Sequence, residues 1–105
     1  MKRINAQELK RELDSGVMPV LLDVREPWEY EICQIAGSVN VPMSQISSRL
    51  NELDKGAKTV VICHHGSRSW QVGSYLESCG FDNLINLDGG VSDWAEQIDL
   101  QMPKY

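Results

Sequence analysis

The sequence is poor in basic residues and has no long apolar run. It contains 10 Lys and Arg residues against 15 Asp and Glu residues, which gives a net charge of −5. Because sequence-independent binding to nucleic acid depends on a basic surface, this balance predicts no nucleic-acid partner. No apolar stretch approaches the roughly 20 residues that a membrane-spanning helix needs, and no charged-then-apolar leader opens the chain. We therefore expect a cytoplasmic protein that does not contact membranes.

Cysteine is also scarce, with only Cys33, Cys63 and Cys79 in the chain. Three cysteines cannot all pair within one chain, and a cytoplasmic location predicts reduced thiols. Structural zinc sites use ligands in spaced pairs such as C-x₂-C, and the sequence has no such pair. Cys63 and the adjacent His64 and His65 are an alternative zinc-binding group, but three consecutive residues converge poorly on one tetrahedral ion. The sequence therefore predicts no metal and no cofactor.

Short apolar runs alternate with helical patterns along the chain. Strands are predicted at five segments: Lys2–Ile4, Val20–Val24, Ser38–Val41, Thr59–Ile62 and Leu84–Leu87. Helices are predicted at five segments between them: 5–15, with an Asn5/Glu8 capping box; 27–32; 43–53; 69–79, before Gly80; and 91–98. Strands that alternate with helices over 105 residues predict one α/β domain, residues 1–105, with a mostly parallel sheet.

The strongest candidate for chemistry is the segment that follows the fourth predicted strand. Cys63 comes directly after this strand, and a helical pattern begins a few residues later. Ligands bind beyond the carboxyl ends of parallel strands, and a helix N-terminus favours negative charge. A cysteine in this position is expected to be largely thiolate, the attacking form, which makes Cys63 the candidate catalytic residue. The candidate substrate-binding residues are the polar, small or basic residues beside it: His64, His65, Gly66, Ser67, Arg68 and Ser69.

Each of these neighbours suits an anion-binding loop. Gly66 allows the loop to turn with its backbone groups inward, and Arg68 adds a permanent positive charge. Ser69 is expected to be the N-cap of the following helix. His64 and His65 are expected at the loop mouth, where they attract anions when protonated. The alternative is structural, because a cysteine at a strand end is usually core and loop histidines usually face solvent.

The segment from Cys63 to Ser69 resembles the active-site loop of rhodanese-like domains. Three other segments resemble further motifs of this family in the family's order: Leu22–Glu26, Ala36–Pro42 and Asn86–Trp94. Each motif alone is weak, but together they cover nearly the whole chain. The resemblance implies a three-layer α/β domain whose central, mostly parallel five-stranded sheet has helices on both faces. Cys33-Gln34 departs from the family's usual Gly-His and places a second thiol at an unusual position.

The resemblance also implies the activity of a thiosulfate sulfurtransferase. The Cys63 thiolate is then expected to attack the outer sulfur of a small anionic donor such as thiosulfate, release sulfite and become a persulfide. Cyanide, a thiol or a protein acceptor takes the sulfur in a second step. Backbone N–H groups of residues 64 to 68 are expected to surround the persulfide anion. No metal or cofactor is required.

Two alternatives to this activity stay open. Cysteine-based phosphatases and arsenate reductases have a similar loop, but they usually place five residues between the cysteine and an arginine. Here four residues separate Cys63 from Arg68, and Ser69 occupies the phosphatase arginine position. Rhodanese-like folds also serve as regulatory or docking modules, although such modules often lack the cysteine that this chain retains.

Residues outside the loop receive separate predictions. Asp23 and Arg25 end a buried strand at the same sheet edge, where they support the pocket or form a structural ion pair. Cys79 is expected in the core, and Cys33 is hypothesised to approach Cys63.

The tryptophans and the last residues of the chain complete the sequence-based expectations. Trp28, Trp70 and Trp94 are expected to be packing residues, with Trp70 a candidate to shade the active-site mouth. The segment 99–105 is polar apart from a few residues and is expected to be loosely held. The number of subunits is left open, because a single sequence shows no interface.

Overall fold

The computed structural model describes all 105 residues as an alternation of strands and helices. The strands are β1 (Lys2–Ile4), β2 (Val20–Asp23), β3 (Val39–Asn40), β4 (Thr59–Ile62) and β5 (Leu84–Leu87). The α-helices are α1 (Ala6–Asp14), α2 (Pro27–Ile32), α3 (Ser67–Ser78) and α4 (Gly90–Gln97). Two 3₁₀ helices, Met43–Gln45 and Ser47–Glu52, precede β4. None of the helices has the length and apolar character needed to cross a bilayer.

The five strands form one sheet in the order β1-β5-β4-β2-β3. Every strand pair is parallel, so the predicted α/β class is confirmed and the sheet is parallel throughout rather than mostly parallel. Asp23 of β2 pairs with Ile62 of β4, and Val61 of β4 pairs with Asn86 of β5. The carboxyl ends of these three strands therefore lie side by side, with the β4 end, which leads into Cys63, in the middle.

Helices cover both faces of the sheet, as predicted. Val60 and Ile62 of β4 belong to an apolar cluster that includes side chains of α1 and α4, such as Leu9 and Trp94. The alternate residue Val61 belongs to a second cluster that includes side chains of α3 and the 3₁₀ segment. Successive strand residues point to opposite faces, so β4 is buried on both sides. A strand packed from both faces is a rigid support for the residue that follows it.

The predicted helix over 43–53 is wrong in type. The apolar spacing of Met43, Ile46 and Leu50 suits an α-helix, but the chain forms two 3₁₀ helices with a kink at Arg49. The Ser48 hydroxyl donates to the Gln45 carbonyl at 3.0 Å. Serine side chains that bond to the local backbone compete with α-helical hydrogen bonding, which explains the difference.

The last seven residues are not loosely held. Met102 is buried in the cluster that contains α1 and α4. The Tyr105 hydroxyl donates to Glu29 Oε2 at 2.8 Å and accepts from Arg25 Nη1 at 2.9 Å. The expectation failed because Met102 and Tyr105 contact distant parts of the chain, which local composition does not reveal. Of the tryptophans, Trp94 is buried as predicted, whereas Trp28 is 59% exposed and does not pack in the core.

Candidate active site

The Cys63 sulfur lies inside the turn that joins β4 to α3. The Gly66 backbone N–H donates to Cys63 Sγ at 3.0 Å, and the thiol donates to Ser69 Oγ at 3.3 Å. The carbonyls of Cys63 and His64 accept from the backbone N–H groups of Val91 and Ser92 at the start of α4, both at 3.0 Å. These two carbonyl oxygens therefore accept hydrogen bonds from the first turn of α4. The loop is a turn that donates one backbone N–H group to a buried thiol.

Two glycines make this turn sterically possible. Gly66 has φ +109, a conformation that side-chain-bearing residues rarely adopt, and it immediately precedes α3. Gly90 has φ +55, and a Cβ built on it would lie 2.3 Å from the Cys63 carbonyl oxygen. A side chain at position 90 would therefore force the β5–α4 turn away from the cysteine loop.

Ser69 does not cap α3, so that prediction is wrong. The helix begins at Ser67 with Gly66 as its N-cap, and Ser69 is a fully buried residue of the first turn. The prediction placed the N-cap three residues too late, because the positive φ of Gly66 was not evident from sequence. The Ser69 hydroxyl instead contacts Cys63 Sγ and donates to Asn86 Oδ1.

Asn86 is the site residue that sequence reasoning missed. It is 2% exposed, and its amide Nδ2 donates to the Gly66 carbonyl at 3.2 Å and to Asp88 Oδ1 at 2.9 Å. A signal was present, because Asn86 is the single polar residue of the strand Leu84–Leu87. A buried amide in an apolar strand needs hydrogen-bond partners and so marks a polar neighbourhood.

Arg68 pairs with Glu29 of α2. Its Nη1 and Nη2 donate to the two Glu29 carboxylate oxygens at 2.7 and 2.9 Å. These bonds, with further help from the Glu26 backbone and the Tyr105 hydroxyl, lower the pKa of Glu29 to about 2 against the cost of burial. The same carboxylate raises the pKa of Arg68. The positive charge predicted for the loop is thus matched by a carboxylate, and Arg68 joins the loop to α2.

Asp23 and Arg25 form a fully buried ion pair beside the loop, as the structural alternative predicted. Arg25 Nη2 lies 2.8 Å from Asp23 Oδ2, and both side chains are inaccessible to solvent. Arg25 Nη2 also donates to the Cys33 carbonyl at 2.6 Å, and Nη1 donates to the Glu29 carbonyl at 3.3 Å. The pair therefore ties the end of β2 to α2.

The loop histidines stack on each other, with His64 half-buried and His65 exposed. The His64 ring lies 4.0 Å from the His65 ring and 4.1 Å from the Tyr105 ring, measured between centroids. Burial, together with the charge of His65, lowers the pKa of His64 below its usual value. Trp70 lies on the other side of the loop, where it lines an open cavity with His65 and Gly66 and packs against Arg3. Trp70 is 38% exposed, so it does not pack in the core, and its shading of the active-site mouth stays a prediction.

All three cysteines are free thiols. Cys33 belongs to the apolar cluster on the α1 and α4 face, whereas Cys63 belongs to the cluster on the α3 face. Arg25 Nη1 donates to the Cys33 sulfur at 3.7 Å. The placement of the two thiols on opposite faces gives no support to a direct approach of Cys33 to Cys63. Cys79 is partly buried and packs against the second cluster. The prediction that it lies in the core is therefore confirmed only in part.

These features define a class of site: a cysteine beyond a central parallel strand, in a loop that donates the Gly66 N–H group to its sulfur and leads into a helix. No group of three or more histidine, cysteine, aspartate or glutamate side chains is arranged to hold a metal ion. The arrangement suits covalent catalysis by a thiolate, because the loop and the helix N-terminus stabilise negative charge on sulfur.

Comparison with known proteins identifies the family. The model of the rhodanese-like domain matches residues 5–97, so the chain belongs to the rhodanese-like family. A Bacillus subtilis protein named as a sulfur carrier, YrkF, is 36% identical over 96 residues, which are 91% of this chain and 52% of that protein. A Mycobacterium tuberculosis protein named as an adenylyltransferase/sulfurtransferase, MoeZ, is 36% identical over 97% of this chain and 26% of its own length.

Solved structures agree with this assignment. A rhodanese-related protein from Thermoplasma volcanium is 34% identical, with a TM-score of 0.83 over 93% of this chain and 94% of its own. A human single-domain sulfurtransferase is 25% identical, with a TM-score of 0.83 over 92% of this chain and 97% of its own. The curated relatives are longer, and the chain spans about half of YrkF and a quarter of MoeZ. Family membership and these homologues together support a general role in sulfur transfer.

Proposed function

We propose that this chain is a sulfurtransferase that carries sulfane sulfur as a persulfide on Cys63. The observation that carries the proposal is the contact between Cys63 Sγ and the Gly66 N–H, in a loop at the N-terminus of α3. A donated hydrogen bond and a helix N-terminus both stabilise an anion on sulfur. A persulfide and a thiolate are both such anions.

The proposed reaction has two balanced steps. In the first step the Cys63 thiolate attacks the outer sulfur of a donor such as thiosulfate. The new Sγ–S bond forms while the donor S–S bond breaks, and its electron pair leaves with sulfite. In the second step an acceptor nucleophile bonds to the outer sulfur, and the electron pair of the broken Sγ–S bond returns to Cys63 as thiolate. No external oxidant or reductant is needed.

The proposed acceptor is a thiol or a protein, with cyanide as the laboratory substitute. The relatives named as a sulfur carrier and as an adenylyltransferase/sulfurtransferase favour a protein acceptor. We also propose a cytoplasmic location, because the chemistry requires Cys63 as a reduced thiol. The phosphatase alternative is disfavoured by the loop spacing, because Ser69 occupies the position where those enzymes place an arginine.

Steady-state kinetics test the proposal. Thiocyanate production from thiosulfate and cyanide should follow ping-pong kinetics in the wild type, because the sulfur is held covalently between the two steps. Cys63→Ser should abolish production. Cys79→Ser is the matched control and should keep it, since Cys79 is a free thiol outside the loop. Failure of the folded wild type to turn over thiosulfate or a low-molecular-weight persulfide would refute the proposal and favour a docking module.

A further inference from the structure

Two residues, Gly66 and Ser69, make hydrogen bonds to the Cys63 sulfur, and both are also hydrogen-bonded to the side chain of Asn86 in the neighbouring strand β5. The sulfur contacts are the Gly66 N–H at 3.0 Å and the Ser69 hydroxyl at 3.3 Å. Asn86 Nδ2 donates to the Gly66 carbonyl, and Asn86 Oδ1 accepts from the Ser69 hydroxyl. We propose that Asn86 is a positioning residue that holds Gly66 and Ser69 against the Cys63 sulfur. The inference rests on the sulfur transfer proposed above and adds to it a residue outside the loop.

The orientation of the Asn86 amide follows from its partners. Its nitrogen is surrounded by two acceptors, the Gly66 carbonyl and the Asp88 carboxylate. Its oxygen therefore faces Ser69, and an amide oxygen can only accept. The Ser69 hydroxyl has a single hydrogen, and its two acceptors are Asn86 Oδ1 and the Gly66 carbonyl at 3.1 Å. Because Asn86 Nδ2 also donates to that carbonyl, Asn86 holds Ser69 and Gly66 in one hydrogen-bonded group beside the sulfur.

Burial and the sheet make this positioning firm. Ser69 is inaccessible to solvent and Asn86 is 2% exposed, so water does not readily replace either partner. Asn86 lies in β5, one strand away from Cys63, and it is paired with Val61 of β4. A side chain on a paired central strand holds its contacts more accurately than one on a loop. The rest of β5 is apolar, so the fold alone does not call for an amide at this position.

The test is the rate of Cys63 modification in variants at position 86. Two rates are measured: persulfide formation from thiosulfate, and alkylation of Cys63 by iodoacetamide, located by peptide mass spectrometry. Asn86→Ala should lower both by about tenfold, the effect of losing a buried hydrogen bond to the loop. Asn83→Ala is the matched control, because Asn83 directly precedes β5 at the opposite end of the strand. It should leave both rates unchanged.

The pH dependence of the Asn86→Asp variant separates a positioning role from a purely structural one, because a purely structural role predicts no change with pH. The ionised aspartate side chain can accept a hydrogen bond from Ser69, but it has no hydrogen to donate to the Gly66 carbonyl. The protonated carboxyl group has one hydrogen and can donate to that carbonyl. The ratio of variant to wild-type rate should therefore rise as the pH falls, while the Asn83→Asp ratio stays flat. The charged or titratable groups around position 86 are Asp88 just after β5, Arg3 from β1, and Cys63 and His65 from the loop.

The outcomes separate this inference from the proposed function. Wild-type rates in Asn86→Ala, or a ratio for Asn86→Asp that does not change with pH, would overturn the role of Asn86. If neither the wild type nor any variant forms a persulfide, the proposed sulfur transfer is refuted. The alkylation rates of Cys63 would still test whether Asn86 is a positioning residue. Asn86→Ser, with a shorter polar side chain, replaces Asn86→Ala if that variant does not fold, and the same tenfold loss is expected.

Discussion

Replacement of Glu29 by glutamine should destabilise the protein at neutral pH and leave it unchanged in acid. Glu29 is almost fully buried and accepts two bonds from Arg68 and one from Tyr105. Glutamine has nearly the same shape but no charge. The variant therefore isolates the ionic part of the contact between α2 and the cysteine loop.

The size of the effect follows from the carboxylate pKa. Contacts dominated by Arg68 lower the pKa of Glu29 from 4.5 to about 2. At about 1.4 kcal/mol per pKa unit this corresponds to at most about 3.5 kcal/mol. Arg68 is 35% exposed, so solvent screens part of the interaction, and we expect about 2 kcal/mol. A loss of about 2 kcal/mol should lower the melting temperature by about 10 °C.

The sign of the pH dependence is fixed by the direction of the shift. A carboxyl whose pKa is lowered by folding contributes its stability above the unfolded pKa, and the contribution is lost as the pH falls through the folded pKa. The wild type and Glu29→Gln should therefore differ at pH 7 and converge between pH 4.5 and about pH 2.

Urea denaturation across this pH range measures the difference. Glu52→Gln is the matched control, since Glu52 also pairs with an arginine but lies at the surface, and it should behave as wild type. A difference between wild type and Glu29→Gln that is the same at pH 7 and at pH 2.5 would refute the reasoning.

Three further predictions concern packing and the residues around the loop. Leu76→Ala should lower the free energy of unfolding by about 2–5 kcal/mol, because Leu76 is fully buried in the α3 face of the core; a loss below 1 kcal/mol in urea denaturation would contradict the packing described. Tyr105→Phe removes the hydroxyl that joins Arg25 to Glu29 but keeps the ring on His64, so a loss of about 1 kcal/mol is expected in the same assay, and no loss would contradict the contacts. An NMR titration should give His64 a pKa below 6.5, and a higher value would contradict its burial.

Strand positions and the catalytic candidate could be predicted from sequence because both depend on local pattern. Thr59–Ile62 is a continuous β-branched and apolar run, and the structure buries all four of its residues. The carboxyl end of such a strand is where α/β sheets place their sites, which directed attention to Cys63. The edge strand β3 is shorter than predicted, Val39–Asn40 instead of Ser38–Val41, because an edge strand is held by one neighbour only.

The partners of the loop could not be predicted, because they come from distant parts of the chain. Glu29 and Arg68 are 39 residues apart and meet only when α2 packs beside the loop. Tyr105 lies in a segment whose composition resembles a mobile tail, and its two hydrogen bonds arise from tertiary folding. The directions of these side chains depend on backbone turns such as Gly66, whose positive φ shifts the start of α3 and places Ser69 against the sulfur.

The central claim is that Cys63 carries the transferred sulfur, and mass spectrometry tests it most directly. The protein is mixed with one equivalent of thiosulfate or of a low-molecular-weight persulfide, and its intact mass and peptides are measured. The account predicts a gain of one sulfur atom on the peptide containing Cys63, reversed by cyanide and absent in Cys63→Ser. A gain on Cys33 or Cys79 instead, or no gain from either donor by the folded wild type, would contradict it.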